Sequence, residues 1–199
     1  MAIGRPRCFC PEQALDKALG VFWQKGYEAT TLTDLTQAMG INRPSLYAAF
    51  GNKEELFRKA MDRYVSEKAA YMSEALSAPT AYQVAERLLL GGADMMTDPT
   101  QPVGCMAIKA TLSGADEADA VKLELNKIRE QYQTRMVARL DQGRQAGELP
   151  ADCDTLALTR FIITVAQGMA IQVVAGATRE QLRQVAATAL SAWPGPKPG

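Results

Sequence analysis

Residues 31–50 read TLTDLTQAMGINRPSLYAAF, and the reading of the whole chain turns on them. Thr31 suits a helix N-cap, with Asp34 three residues on as the acidic half of a capping box. Leu32, Leu35 and Met39 then recur as the apolar side of a short helix. Gly40 ends that helix and supplies the backbone freedom of a tight turn, which Ile41 fills. Asn42 caps a second helix, whose first turn tolerates Pro44 because the N–H that proline lacks would have no helical partner there. Leu46, Tyr47 and Phe50 complete it, and Gly51 stops it. The spacing predicts two short helices around a sharp corner, clamped by Leu35, Ile41 and Leu46.

Working outward, the same signals repeat. Pro11 opens a preceding helix with Ala14, Leu15, Ala18, Leu19, Phe22 and Trp23 on one face, and Gly26 closes it. Asn52 with Glu55 caps a long helix predicted over Lys53–Ser77. Further helices are expected at Ala81–Met96, Val103–Leu112, Ala115–Ala146 (core stripe Val121, Leu125, Ile128, Tyr132, Met136, Leu140), Thr155–Ala175 and Thr178–Trp193. No stretch alternates with a period of two, so the predicted class is all-α, with about nine helices. The expected organisation is a basic arm at 1–9 carrying Arg5 and Arg7, a three-helix unit at 10–52, a larger helical body at 53–193, and a disordered tail at 194–199.

Composition narrows the function. The 199 residues carry 22 basic and 22 acidic side chains, so there is no global polycation. Through Tyr64, however, nine basic side chains face seven acidic ones, which tilts the first third toward an anionic partner. Histidine is absent, which removes Ser-His-Asp and Cys-His catalysis and every histidine-containing zinc site. With no phosphate loop or nucleophile motif either, an enzyme is not expected, nor a catalytic residue, cofactor or metal. Cys8 and Cys10 form a lone pair with no second pair for a metal. The N-terminus has no apolar run behind its arginines, and Phe161–Val174 is shorter than the ~20 residues of a membrane span. A cytoplasmic protein with no membrane partner is expected.

A helix–turn–helix that reads DNA needs a second helix whose N-terminal face is polar, small and exposed. Asn42, Arg43, Pro44, Ser45 and Ala48 supply that face. Arg43 is able to read guanine edges or clasp a phosphate, and the Tyr47 hydroxyl a phosphate. Lys53, at the next helix start, adds charge where free N–H groups favour an anion. Thr31 and Thr33 stand where a supporting helix meets the DNA backbone. On spacing alone a second reading stands beside this one: a capped helix pair in a helical oligomer, with Tyr47 as core and Arg43 as a solvated charge.

The stretches ALGVFWQKGYEATTLTDLTQAMGI (18–41), SLYAAFGNKEELF (45–57) and AMDRY (60–64) together resemble the N-terminal domain of the TetR family of bacterial transcriptional regulators. The resemblance covers about Ala14 to Tyr64. It implies that Leu32–Met39 is the supporting helix and Arg43–Ala49 the recognition helix, with Tyr47 and Lys53 at phosphate-contacting positions. Cys10 departs from the family, which often has Asp or Thr there as a cap.

The resemblance further implies a small-molecule effector of unknown identity and a homodimer formed through the last two helices, about residues 155–193. Residues 155–175 are apolar nearly all round, consistent with burial on more than one side. A symmetric dimer presents two recognition helices to a pseudo-palindromic double-stranded operator, with half-sites ~34 Å or a multiple apart. Candidate effector-lining residues are Tyr71, Met95, Met106, Arg129, Tyr132 and Met136, the methionines for their adaptable packing. Cys105, in P-V-G-C-M at the start of a short helix, is a candidate sensor of oxidants or electrophiles; the plainer reading is a small buried cysteine. The expected function is a DNA-binding repressor released by its effector, with a redox-sensing repressor as the alternative.

Overall fold

Side-chain caps set six of the helix starts. In the computed structural model, which describes residues 9–112 and 119–196, ten α-helices are joined by short loops, with no strand among the described residues. They are α1 Pro11–Lys25, α2 Leu32–Met39, α3 Arg43–Phe50, α4 Lys53–Arg63, α5 Ala70–Ala75, α6 Ala81–Met96, α7 Met106–Leu112, α8 Asp119–Gln145, α9 Thr155–Val174 and α10 Arg179–Ser191. Thr31 with Asp34, Asn52 with Glu55 and Thr178 with Gln181 form reciprocal capping boxes, while Asn42, Thr80 and Asp154 each accept an N–H through their side chains. Each such cap satisfies a donor that the helix leaves unpaired. Cys10 precedes α1 without any side-chain cap bond, as the departure from the family pattern predicts.

The long helix expected over Lys53–Ser77 is not continuous. After Arg63 the chain passes through a π-helical turn, Tyr64–Lys68, and then Ala69 at φ −101° and ψ 15° before α5 begins. The turn keeps Tyr64 inside: its ring meets the Trp23 ring edge-on, with centroids 4.9 Å apart. The expected roles of Arg5 and Arg7 in an arm, of the Ser113–Gly114 break, of Val121 in a core stripe and of the last tail residues lie outside the described residues.

Two cores divide the molecule. The first joins α1–α4 to α7 and one residue of α8, around Phe22, Trp23, Leu35, Leu46, Leu56, Phe57, Tyr64, Met106 and Leu125. The second joins α6, α8, α9 and α10 around Leu88, Leu89, Met136, Leu140, Ile162, Met169, Leu182 and Trp193. Tyr71, Met72, Met95 and Cys105 pack against both, so the seam between the cores runs through them.

One helix is left more than half uncovered. α9 has 20 residues, and by length and composition it is apolar enough to cross a bilayer, yet 28% of its most apolar window is buried within the chain. Leu156, Phe161, Ile171 and Val174 of α9 stand exposed, as does Val185 of α10. Between the two helices runs an open groove of about 1040 Å³, lined by Phe161, Val165, Met169, Leu182, Val185 and Ala189 among others. Its wall also carries Gln172, Gln181, Gln184 and Thr188, a mixture suited to another protein surface and unlike a lipid-facing band.

Candidate nucleic-acid interface

The recognition corner is built from the turn outward. Gly40 adopts φ 69° and ψ 31°, the left-handed region that favours glycine, which lets the Gly40 and Ile41 N–H groups reach back to the carbonyls of Gln37 and Thr36. Leu35 and Leu46 are wholly buried on either side of this turn, so α2 and α3 cross at a fixed angle. At its far end, α3 is closed by Lys59 of α4, whose Nζ donates to the Phe50 carbonyl at 3.1 Å. The corner therefore rests on α4 as well as on α1.

The face that this frame presents is polar. Asn42 Oδ1 accepts the Ser45 N–H at 2.8 Å, which fixes the start of α3, and Asn42, Arg43 and Pro44 are exposed. Tyr47 is 48% exposed, too open for the core role that spacing alone allowed. Arg43 Nη2 donates to Thr33 Oγ1 at 3.1 Å, so the second residue of α2 holds the first side chain of α3. Thr31 Oγ1 donates to Asp34 Oδ2 at 2.9 Å and accepts the Asp34 N–H at 3.1 Å. Lys53 Nζ sits 4.4 Å from the centroid of the Tyr27 ring, a cation–π placement that the sequence reading did not foresee. The structure thus brings Thr33, Asn42, Arg43, Pro44, Ser45 and Tyr47 together around α3, while Thr31 stands at the start of α2 and Lys53 at the start of α4.

The effector candidates separate into three groups. Tyr71 and Met95 lie on the seam between the cores, and the Tyr132 hydroxyl donates to the Met72 carbonyl at 3.2 Å beside them. Burial raises the phenol pKa of both Tyr71 and Tyr132. Gly91 makes room for Tyr71, since a methyl group there would stand 2.8 Å from the ring. Met106 belongs to the first core and Met136 to the second, each nearly inaccessible. Arg129 Nη1 donates to Asn126 Oδ1 at 3.3 Å, within α8 itself. Cys105 directly precedes α7, and its Sγ accepts the buried Tyr64 hydroxyl at 3.3 Å.

Sequence reasoning missed the bonds that attach this corner to the body. Trp23 Nε1 donates to the Gly104 carbonyl at 2.9 Å, and Lys109 Nζ to the Trp23 carbonyl at 3.1 Å. Arg63 pairs with Asp16 across α4 and α1. A tryptophan at a core position was the available signal, because its N–H needs an acceptor somewhere.

A turn-linked helix pair on an aromatic frame, with a capped polar N-terminus outward and a helical body behind, defines a helix–turn–helix regulator. Residues 14–60 match the family model for bacterial regulatory proteins of the tetR family, and residues 85–190 match the tetracyclin repressor-like C-terminal domain. The chain is 38% identical over 194 residues to the HTH-type transcriptional repressor ComR of Escherichia coli (strain K12), covering 96% of this chain and 92% of ComR. It is 32% identical to the repressor BdcR of the same organism, covering 94% and 90% of the two chains. Among solved structures it resembles a cysteine-substituted CifR, a TetR family transcriptional regulator complexed with 26-bp double-strand operator DNA. There the TM-score is 0.91 and the identity 39%, over 96% of this chain and 100% of that one. The chain belongs to the TetR family.

Asp34 yields a pH signature for the corner. Lys25, whose Nζ lies 2.7 Å from Oδ1, is the main cause that lowers the Asp34 pKa from 3.8 to about 2, followed by the Thr31 N–H and hydroxyl. A carboxyl whose folded pKa is depressed stabilises the fold above its unfolded value, and that stabilisation is lost as pH falls through the folded one. Asp34→Asn is therefore expected to lower stability near neutral pH, and to flatten the loss of stability between about pH 4 and pH 2. Urea denaturation of both proteins at neutral and acid pH measures this; parallel pH profiles would contradict the assignment.

Proposed function

We propose that the protein is a homodimeric transcriptional repressor, which binds a pseudo-palindromic double-stranded operator through α3 and releases it when a small molecule occupies the body. The observation that carries this reading is the exposed N-terminal face of α3, with Arg43 and Tyr47 displayed outward while Asn42 caps the helix. The likeness to an operator-bound regulator over nearly the whole chain supports it. Arg43 reads a base edge or clasps a phosphate, and Tyr47 hydrogen-bonds a phosphate. Thr31, Asn42, Pro44 and Ser45 line the approach, and Lys53 contributes positive potential from the start of α4. The function is regulatory rather than catalytic, and its setting is the cytoplasm, where the DNA is.

The exposed apolar faces of α9 and α10 form the dimer interface, with partner helices in the groove between them. The effector lodges at the seam of the two cores, where Tyr71, Met95 and Tyr132 meet, with Met106 and Met136 behind and Arg129 outside on α8. No cofactor is required. An effector that favours one arrangement of the two heads by ~1–3 kcal/mol suffices to shift operator occupancy.

A second reading rests on the bond from Tyr64 to Cys105. The cysteine adjoins Gly104, to which Trp23 is bonded, so oxidation or alkylation of the sulfur would disturb the attachment of the head. In that reading an oxidant or alkylating agent weakens operator binding by the wild type and spares Cys105→Ser. An equal response from the two proteins removes it.

For the main reading, Arg43→Ala is expected to cost operator affinity by ~1–3 kcal/mol, and Tyr47→Phe to weaken binding about evenly across operator sequences. Both variants keep the dimer. Fluorescence anisotropy at fixed salt, with sedimentation to check the oligomer, is the measurement. Wild-type affinity in both variants would contradict the assignment of α3.

A further inference from the structure

Gly104 lies where three parts of the molecule meet. Its N–H donates to the Met96 carbonyl at the end of α6, at 3.2 Å. Its carbonyl accepts the indole N–H of Trp23, in the last turns of α1. Its α-carbon faces α9: a methyl group added there would stand 2.9 Å from Val174 Cγ2 and 3.7 Å from the Ala170 carbonyl oxygen. The φ of +89° is in the region that favours glycine, so both the backbone path and the close approach demand this residue. Five positions on, Lys109 binds the Trp23 main chain. One segment, residues 104–109, therefore grips Trp23 by side chain and backbone together.

The position of this grip matters more than its strength. α4 also joins the DNA-reading head to the body, but its register is broken by the π-helical turn at Tyr64–Lys68 and by Ala69. From Trp23 through Gly104 to Val174, by contrast, the head reaches α9 in two contacts. Trp23 is wholly buried, so its hydrogen bond is shielded from competing water.

In a two-fold dimer built on α9 and α10, the separation and tilt of the heads follow from how each head is fixed against α9. We propose that Trp23, Gly104 and Lys109 are positioning residues, which lock the reading head against α9 and so set the half-site spacing that the dimer accepts. The inference rests on the operator-binding reading and adds to it a determinant that touches no DNA. A base pair inserted between half-sites shifts one of them by ~3.4 Å and turns it about the helix axis, which a rigid joint resists and a loosened one tolerates.

The test uses the full-length dimer and three synthetic operators: the preferred one, and versions with one base pair added or removed between half-sites. Trp23→Phe keeps an aromatic ring in the pocket and removes the donor. Lys109→Met keeps the stem and removes the ammonium, and it carries the test if Trp23→Phe does not fold. The readout is the ratio of Kd values between wrong and right spacing, together with Kd for a single half-site. The expected result is that this ratio falls about five-fold in a folded variant, the change that one lost buried hydrogen bond corresponds to, while half-site affinity stays put. An unchanged ratio, or an equal loss on all three operators, would overturn the proposal and leave Trp23 as core. Failure of the wild type to prefer any operator would instead sink the repressor reading.

Discussion

Helices of eight residues do not hold themselves together in water, and α2 and α3 are both eight residues long. Their persistence depends on what lies beneath them. The Phe22 and Tyr27 rings meet the Phe57 ring edge-on, at centroid separations of 5.1 and 5.0 Å, and Trp23 meets Tyr64 in the same way. This aromatic knot ties α1 to α4, and Leu35, Leu46 and Phe50 dock the reading pair upon it. Because the knot takes up the apolar residues, α3 is free to present small and polar groups outward. The DNA-facing chemistry is thus a consequence of a core built from flanking helices.

The same logic explains the far end of the chain. α9 carries more apolar surface than its own body covers, and so does one side of α10. Left in water, those side chains would be a liability; against a second copy they complete a core. A dimer formed there doubles the reading heads and gives them a symmetry that a pseudo-palindrome matches. Reading head and dimer face are then connected through the loop before α7, which bonds Trp23 and lies against α9.

Local chemistry was the legible part of the sequence. Thr31 with Asp34, Asn42, Asn52 with Glu55 and Thr178 with Gln181 each announce a helix start within four residues, and each start is where the caps require it. The exposed character of Asn42, Arg43 and Pro44 was equally legible, since a capped first turn leaves them little else to do. What the sequence withheld was long-range. Nothing local tells that Trp23 bonds a carbonyl 81 positions away, or that Gly104 is small because Val174 is beside it. The π-helical turn at Tyr64 was hidden too, because the apolar spacing of Leu56, Phe57, Ala60, Met61 and Tyr64 fits an uninterrupted helix. For the effector candidates, composition marked adaptable side chains, but the seam that gathers Tyr71, Met95 and Tyr132 depends on how two cores abut.

A repressor of this design requires that the α3 face read a specific duplex. The direct measurement is an unbiased selection of duplex sequences by the purified dimer, repeated over a range of salt concentrations. A short palindrome should emerge, with affinity falling steeply as salt rises because phosphate contacts release counterions. Weak binding without sequence preference at every salt concentration would contradict it.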